Sequence, residues 1–155
     1  MRIEIPTPES WLFTLEYPVL LADVNHTHLA AVSVLPIATE VQMRLFRQLG
    51  FPEALSSDRL AGACYIMADA GLVFRSEAYY GDLLQVKVGL GDVGRCSVDL
   101  IYRLDNARSG QVVALVKTAL VFLDRGTRRP TAVPTAFLER CASVDTQANR
   151  EVGGA

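Results

Sequence analysis

The chain has 155 residues, carries 15 Lys and Arg against 17 Asp and Glu, and is half hydrophobic. That length suits one domain with a sizeable core. No basic stripe marks it for nucleic acid, and no apolar run reaches the roughly 18 residues that span a bilayer. The hydrophobic surplus points instead to a buried sheet or a subunit interface.

The opening MRIEIPTPES lacks the apolar stretch of a signal peptide. Residues 11–24, WLFTLEYPVLLADV, are aromatic and branched and read as a strand, with Pro18 marking an edge or a bend. The stretch ADVNHTHLAA, residues 22–31, then gathers both histidines of the chain, His26 and His28, beside Asp23 and Asn25. Such a cluster is either a polar turn between core elements or the polar wall of a site. Residues 29–50 have helical spacing. Val34, Ala38, Val41, Leu45 and Leu49 share one face, and Glu40 and Arg44 pair on another. Pro36 fits the first turn, so the helix is expected to start at Ser33 or Leu35, or else to be kinked. Gly50 and Pro52 stop it.

FPEALSSDRLAG, residues 51–62, reads as a connecting loop. Strands are expected at 63–79, 83–90, 96–104 and 111–124, separated by short turns at Tyr80-Gly81-Asp82, GDVGR and DNARSG. Two-residue alternation with such turns gives an antiparallel meander. The last residues, DTQANREVGGA, read as a flexible tail, so a single domain over 1–140 is followed by a tail over 141–155. Cys64, Cys96 and Cys141 are far apart and form no CxxC. With two histidines no zinc site is expected, and reduced thiols in the cytoplasm are the plain reading.

Strand, one long helix, then four strands is an α+β order. Its economical packing wraps an antiparallel sheet around the helix. The apolar second face of the last strand suggests association through the sheet.

Four segments carry a resemblance. ADVNHTHL resembles an Asp-x-Asn/Asp-x-x-x-His segment ahead of a helix. ATEVQMRLFRQLGF resembles a helix with a glutamate, an arginine and a Leu-Gly end. RSEAYYGDLLQVKVGLGDVGRCSVDLIYRL resembles an aromatic-Gly-Asp turn followed by a strand, a Gly-Arg turn and a strand. KTALVFLDRGTRRPTAVPTAF resembles a final strand with an acidic end and a proline-bearing tail. In this order, over residues 12–138, they resemble the hotdog-fold acyl-CoA thioesterases, near the 4-hydroxybenzoyl-CoA and plant acyl-ACP thioesterases. Two departures stand out: Asn25 takes the place of a catalytic aspartate, and Ala30-Ala31 replaces an asparagine pair.

The resemblance implies hydrolysis of an acyl-CoA or acyl-carrier thioester by a homodimer or tetramer, with no cofactor beyond the coenzyme A of the substrate. Asn25 and His28 would position water or the carbonyl. Glu40 would act as base, with Asp23 nearby. His26, Asp69, Arg95 and Arg125 would contact substrate, the two arginines holding carrier phosphates. Each has a structural reading beside it. Glu40 can pair with Arg44 in solvent, Asn25 and Asp23 can serve a turn or cap, His28 can cap the helix, and Asp69 can lie on a strand face. A hotdog hydratase or dehydratase, or a non-catalytic thioester-binding protein, is the alternative.

Overall fold

The computed structural model describes residues 2–51 and 63–153. The loop expected at 51–62 lies, apart from Phe51, outside the described residues. The first strand, β1 (Phe13–Pro18), stops at Pro18 rather than running on to Val24. A 3-10 turn over Leu21–Asp23 follows. Proline has no N–H to continue the ladder. The Asp23 carboxylate then holds the turn, accepting the Leu20 N–H at 2.9 Å and the Tyr17 hydroxyl at 2.7 Å. Next comes a two-residue hairpin, β2 (Val24–Asn25) and β3 (His28–Leu29). His26 takes the first position of its turn with φ +61°. Histidine visits this left-handed region more readily than most residues.

Helix α1 (Ala31–Gln48) begins two residues before Ser33 and carries Pro36 inside it. The missing N–H leaves the Val32 carbonyl without its helical partner. Both residues face solvent, so water can take that bond. At the far end Gly50 adopts φ +87°. Its N–H meets Arg47 O at 3.0 Å, and the Phe51 N–H meets Phe46 O at 2.8 Å. This is a Schellman stop of the kind glycine permits.

The remaining strands are β4 (Ala63–Phe74), β5 (Leu83–Val93), β6 (Ser97–Asn106) and β7 (Val112–Asp124). They join β1 in one antiparallel sheet ordered β1-β5-β6-β7-β4. The sheet packs around α1, which is the expected hotdog arrangement. Val34, Ala38, Val41, Leu45 and Leu49 of the helix are buried against Leu84, Val86, Val98, Leu100 and Leu120. Their spacing on both elements explains the packing, since residues three or four apart on the helix and two apart on a strand share a face.

Gln42 breaks this pattern. It lies on the buried face, 2% exposed. Its amide joins a buried chain. The Tyr102 hydroxyl donates to Gln42 Oε1 at 3.2 Å, and Gln42 Nε2 donates to the Tyr65 hydroxyl at 3.1 Å. Burial pushes the Tyr102 phenol well above its ordinary value, so it stays a neutral donor. Gln42→Ala leaves both tyrosines short of a partner. The expected cost is about 1–3 kcal/mol in chemical denaturation.

The expected flexible tail is instead largely helical. Helix α2 spans Thr135–Gly153. Phe137 and Cys141 are buried. The Phe137 ring sits edge-on to Phe46 at 5.4 Å and lies 5.8 Å from Phe122. Arg140 donates to the Leu49 carbonyl at 2.7 Å and stacks 4.6 Å from the Phe51 ring centre. The start of α2 thus closes the C-terminal end of α1.

The outer face of the sheet is crossed by the chain's own N-terminal segment. Ile3 and Ile5 lie over Gly71, and Pro8 and Ser10 lie over Gly89. A Cβ on Gly89 would stand 2.7 Å from the Pro8 ring. That close approach requires glycine at this outward position.

Candidate active site

The β2–β3 hairpin places Asn25 and His28 directly opposite each other. Both side chains are exposed and have no hydrogen-bond partner among the described residues. The hairpin is tied to the loop after β4. The Leu29 N–H donates to Ala78 O at 2.7 Å, and His28 bridges to Tyr79. This long-range pairing creates a cleft of about 780 Å³. Its walls are Asn25 and His28, the start of α1 over Ala31–Ser33, and the segment Phe74–Glu77.

The N-terminus of α1 opens into that cleft uncapped. Ala30 occupies the cap position with no side-chain hydrogen bond, and the first turn has no acidic residue. The Ala31 and Val32 N–H groups have no partner among the described residues. Alanine is a poor cap. The free N–H groups and the helix dipole therefore favour a negative oxygen here.

Residues 75–77 were expected to continue the strand. Instead the chain leaves β4 at Phe74. The Ser76 hydroxyl holds the departure by donating to Val112 O at 2.7 Å. This turn brings Glu77 to the cleft, the one carboxylate among its described lining residues. Glu77 Oε2 accepts the Tyr79 hydroxyl at 2.5 Å. That hydrogen bond, together with the negative charge of Glu77, raises the Tyr79 phenol above its ordinary value and keeps the donor protonated. Arg75 lines the same wall.

Other expected site residues lie elsewhere within the protomer. Asp23 and Glu40 share a separate hollow with Tyr17 and Arg44. There Glu40 pairs with Arg44 at 3.0 Å, with both side chains more than half exposed. Burial first, then the Asp23 hydrogen bond and the charges of Asp23 and Glu40, push Tyr17 up to about 12. Asp69, expected to contact substrate from within an apolar strand, faces outward in the protomer and meets Lys117 at 3.4 Å. The ladder slips between Met67 and Asp69, and the carboxylate is 61% exposed. His26 sits at the exposed hairpin tip.

Arg95 and Arg125 are far from the cleft. Phe74 pairs with Ala114 at the cleft end of the sheet, and Ala63 pairs with Asp124 at the other. Ten residues of strand, roughly 33 Å, separate the two ends. Arg125 follows Asp124, and Arg95 precedes Ser97, which pairs with Val121 near that same far end. The arginine present at the cleft is Arg75.

An apolar hollow of about 530 Å³ adjoins the cleft through Ala31 and Val32. Leu35 and Pro36 of α1 and Ala70 and Leu72 of β4 also line it. No helix among the described residues is long and apolar enough to cross a membrane.

Solved structures share this architecture. A 1,4-dihydroxy-2-naphthoyl-CoA thioesterase from Synechocystis superposes with a TM-score of 0.76 at 21% identity, covering 86% of this chain and 97% of its own. A Staphylococcus aureus protein solved in complex with CoA gives 0.76 at 18% identity, covering 91% and 87%. A DHNA-CoA thioesterase from Staphylococcus aureus gives 0.70 at 14% identity, covering 92% and 94%. At such identities the likeness shows the fold. A search of curated protein sequences finds no match. The sequence model of the thioesterase-like superfamily matches residues 19–141, from the turn before the hairpin into α2. With the hotdog fold and that match over most of its length, the chain belongs to the thioesterase-like superfamily.

Proposed function

We propose that the protein hydrolyses an acyl-CoA thioester to a free acid and coenzyme A in the cleft at the head of α1. The observation that carries this reading is the meeting of three features there. They are the uncapped helix N-terminus, the Asn25–His28 pair and the Glu77 carboxylate. Hydrolysis needs oxyanion donors, a base for water and a seat for the acyl group.

The thioester carbonyl oxygen accepts the Ala31 and Val32 N–H groups, with Asn25 or His28 as a further donor. Glu77 takes a proton from water as the water oxygen bonds to the carbonyl carbon. The tetrahedral oxyanion collapses, the carbon–sulfur bond breaks, and the protonated Glu77 returns the proton to the leaving thiolate. The Tyr79 hydroxyl holds one Glu77 oxygen and leaves the other for water. Asn25 cannot be a base, since a carboxamide has no proton-accepting site of useful strength. No metal or redox step enters this scheme. The apolar hollow beside Leu35 and Leu72 receives the acyl group.

The hollow is open along β4, which is an edge strand. The other edge, β1, is short and ends in proline. β4 is 12 residues long and exposes Ile66, Met67 and Phe74. A long apolar edge is a template for pairing. The proposal therefore includes a homodimer joined along β4, which would cover the hollow. Replacing Ile66 and Met67 together with lysine is expected to convert the dimer to a monomer in light scattering. An unchanged mass would remove this interface. Three free cysteines, two of them buried, fit the cytoplasmic location that we propose.

Thiol release from a panel of acyl-CoAs tests the activity. Release of free coenzyme A with equal acid supports it. Loss of enoyl absorbance without thiol would make the protein a hydratase, and tight binding with neither would make it a binding protein.

A further inference from the structure

A second hollow, of about 440 Å³, lies on the outer face of the sheet beneath the N-terminal segment. Trp11, with Pro6 and Thr7, forms one wall, and Ile101 and Leu115 form part of the floor. Arg75, Arg103 and Gln111 supply its polar groups, and none of its described lining residues is a carboxylate. The Arg75 side chain has no hydrogen-bond or ion-pair partner among the described residues. Arg103 holds Asp105 at 2.8 Å, but Lys87 shares that carboxylate at 3.6 Å, so the local balance stays positive.

The hollow and the thioester cleft meet. Arg75 and Ser76 line both. A molecule with its reacting end against Glu77 can pass over this wall and rest its other end against Trp11. An indole beside two guanidinium groups and a carboxamide matches one chemistry closely. The ring stacks a planar base, the guanidiniums grip phosphate oxygens in pairs, and the carboxamide reads the edge of a base.

We propose that this hollow binds the phosphorylated adenine nucleotide end of the acyl-CoA substrate. The proposal rests on the thioesterase reading for its substrate, but the binding it describes is measurable without turnover. Glycine at 71 and 89 lets the N-terminal segment lie flat enough to complete the wall. The nucleotide is thus held by the outer sheet face and a strap, while the thioester is held by the helix.

Trp11 is the single tryptophan of the chain, so its fluorescence reports on the hollow alone. Excited where adenine does not absorb, it should be quenched saturably by coenzyme A and by adenosine 3′,5′-bisphosphate, but not by pantetheine. Arg103→Glu should weaken both nucleotide titrations at least tenfold and Arg103→Gln severalfold. Hydrolysis of an acyl-pantetheine should be unchanged in either variant, while KM for the acyl-CoA rises.

Any of three results overturns the proposal: no saturable quenching by the bisphosphate, titrations insensitive to both Arg103 variants, or a signal that follows protein concentration and ignores nucleotide. The last would make the hollow a contact between copies. Thiol release with no nucleotide effect would sink this site and leave the hydrolase standing. Quenching without thiol release from any acyl-CoA would do the reverse.

Discussion

Glu77→Gln is expected to lower kcat for acyl-CoA hydrolysis by about two to four powers of ten, the usual contribution of a positioned general base. Folding should be intact, because Glu77 is exposed and its described side-chain bond is to Tyr79. The glutamine keeps the shape of the side chain and its hydrogen bond to Tyr79 but cannot accept a proton from water. KM should move little, since the base acts on the transition state more than on bound substrate. The contrast lies in Glu40→Gln, which removes an exposed ion pair with Arg44. Such pairs contribute little. Turnover should therefore stay within about twofold of the parent, by the same steady-state thiol assay. A large loss in the Glu40 variant with none in the Glu77 variant would move the chemistry to the hollow of Asp23 and Tyr17.

Phe137→Ala is the second large effect. The ring is 1% exposed and packs against Phe46, Phe51 and Phe122. Truncating a buried aromatic removes both its contacts and the volume that it fills, typically about 3–5 kcal/mol. For a chain of this length, that lowers Tm by roughly 10 °C. The cavity also loosens α2, so protease cleavage should appear beyond Pro134 in the variant and not in the parent. A melting temperature within a degree or two of the parent would mean that α2 does not brace the core.

These two residues also show what the sequence made legible. The helix face at 34, 38, 41, 45 and 49 and the alternating strands carry local periodicity, and they packed as that periodicity requires. Glu40 and Arg44 likewise show a local relation, four residues apart, and the ion pair formed.

Glu77 has no such signal. It follows a β-prone run and reads as more strand. Only the pairing of Leu29 with Ala78, nearly fifty residues apart, brings it to the helix. Gln42 is similar, because this helix residue finds its partners Tyr65 and Tyr102 on strands far along the chain. Helix α2 does carry a local signal. Phe137, Cys141 and Val144 recur at helical spacing ahead of the polar end that suggested a tail. Arg125 and Arg95 offer a positive charge at a turn, but nothing local says which end of the sheet they occupy. Strand length, which sequence does express, sets them roughly 33 Å from the cleft within the protomer.

A crystal structure with a non-hydrolysable ketone analogue of an acyl-CoA would show where the thioester carbonyl is held. The ketone oxygen is expected about 2.7–3.1 Å from the Ala31 or Val32 nitrogen. The acyl group should lie against Leu35 and Leu72, with the Glu77 carboxylate facing the carbonyl carbon. An analogue seated beside Asp23 and Glu40, with the head of α1 empty, would contradict this placement.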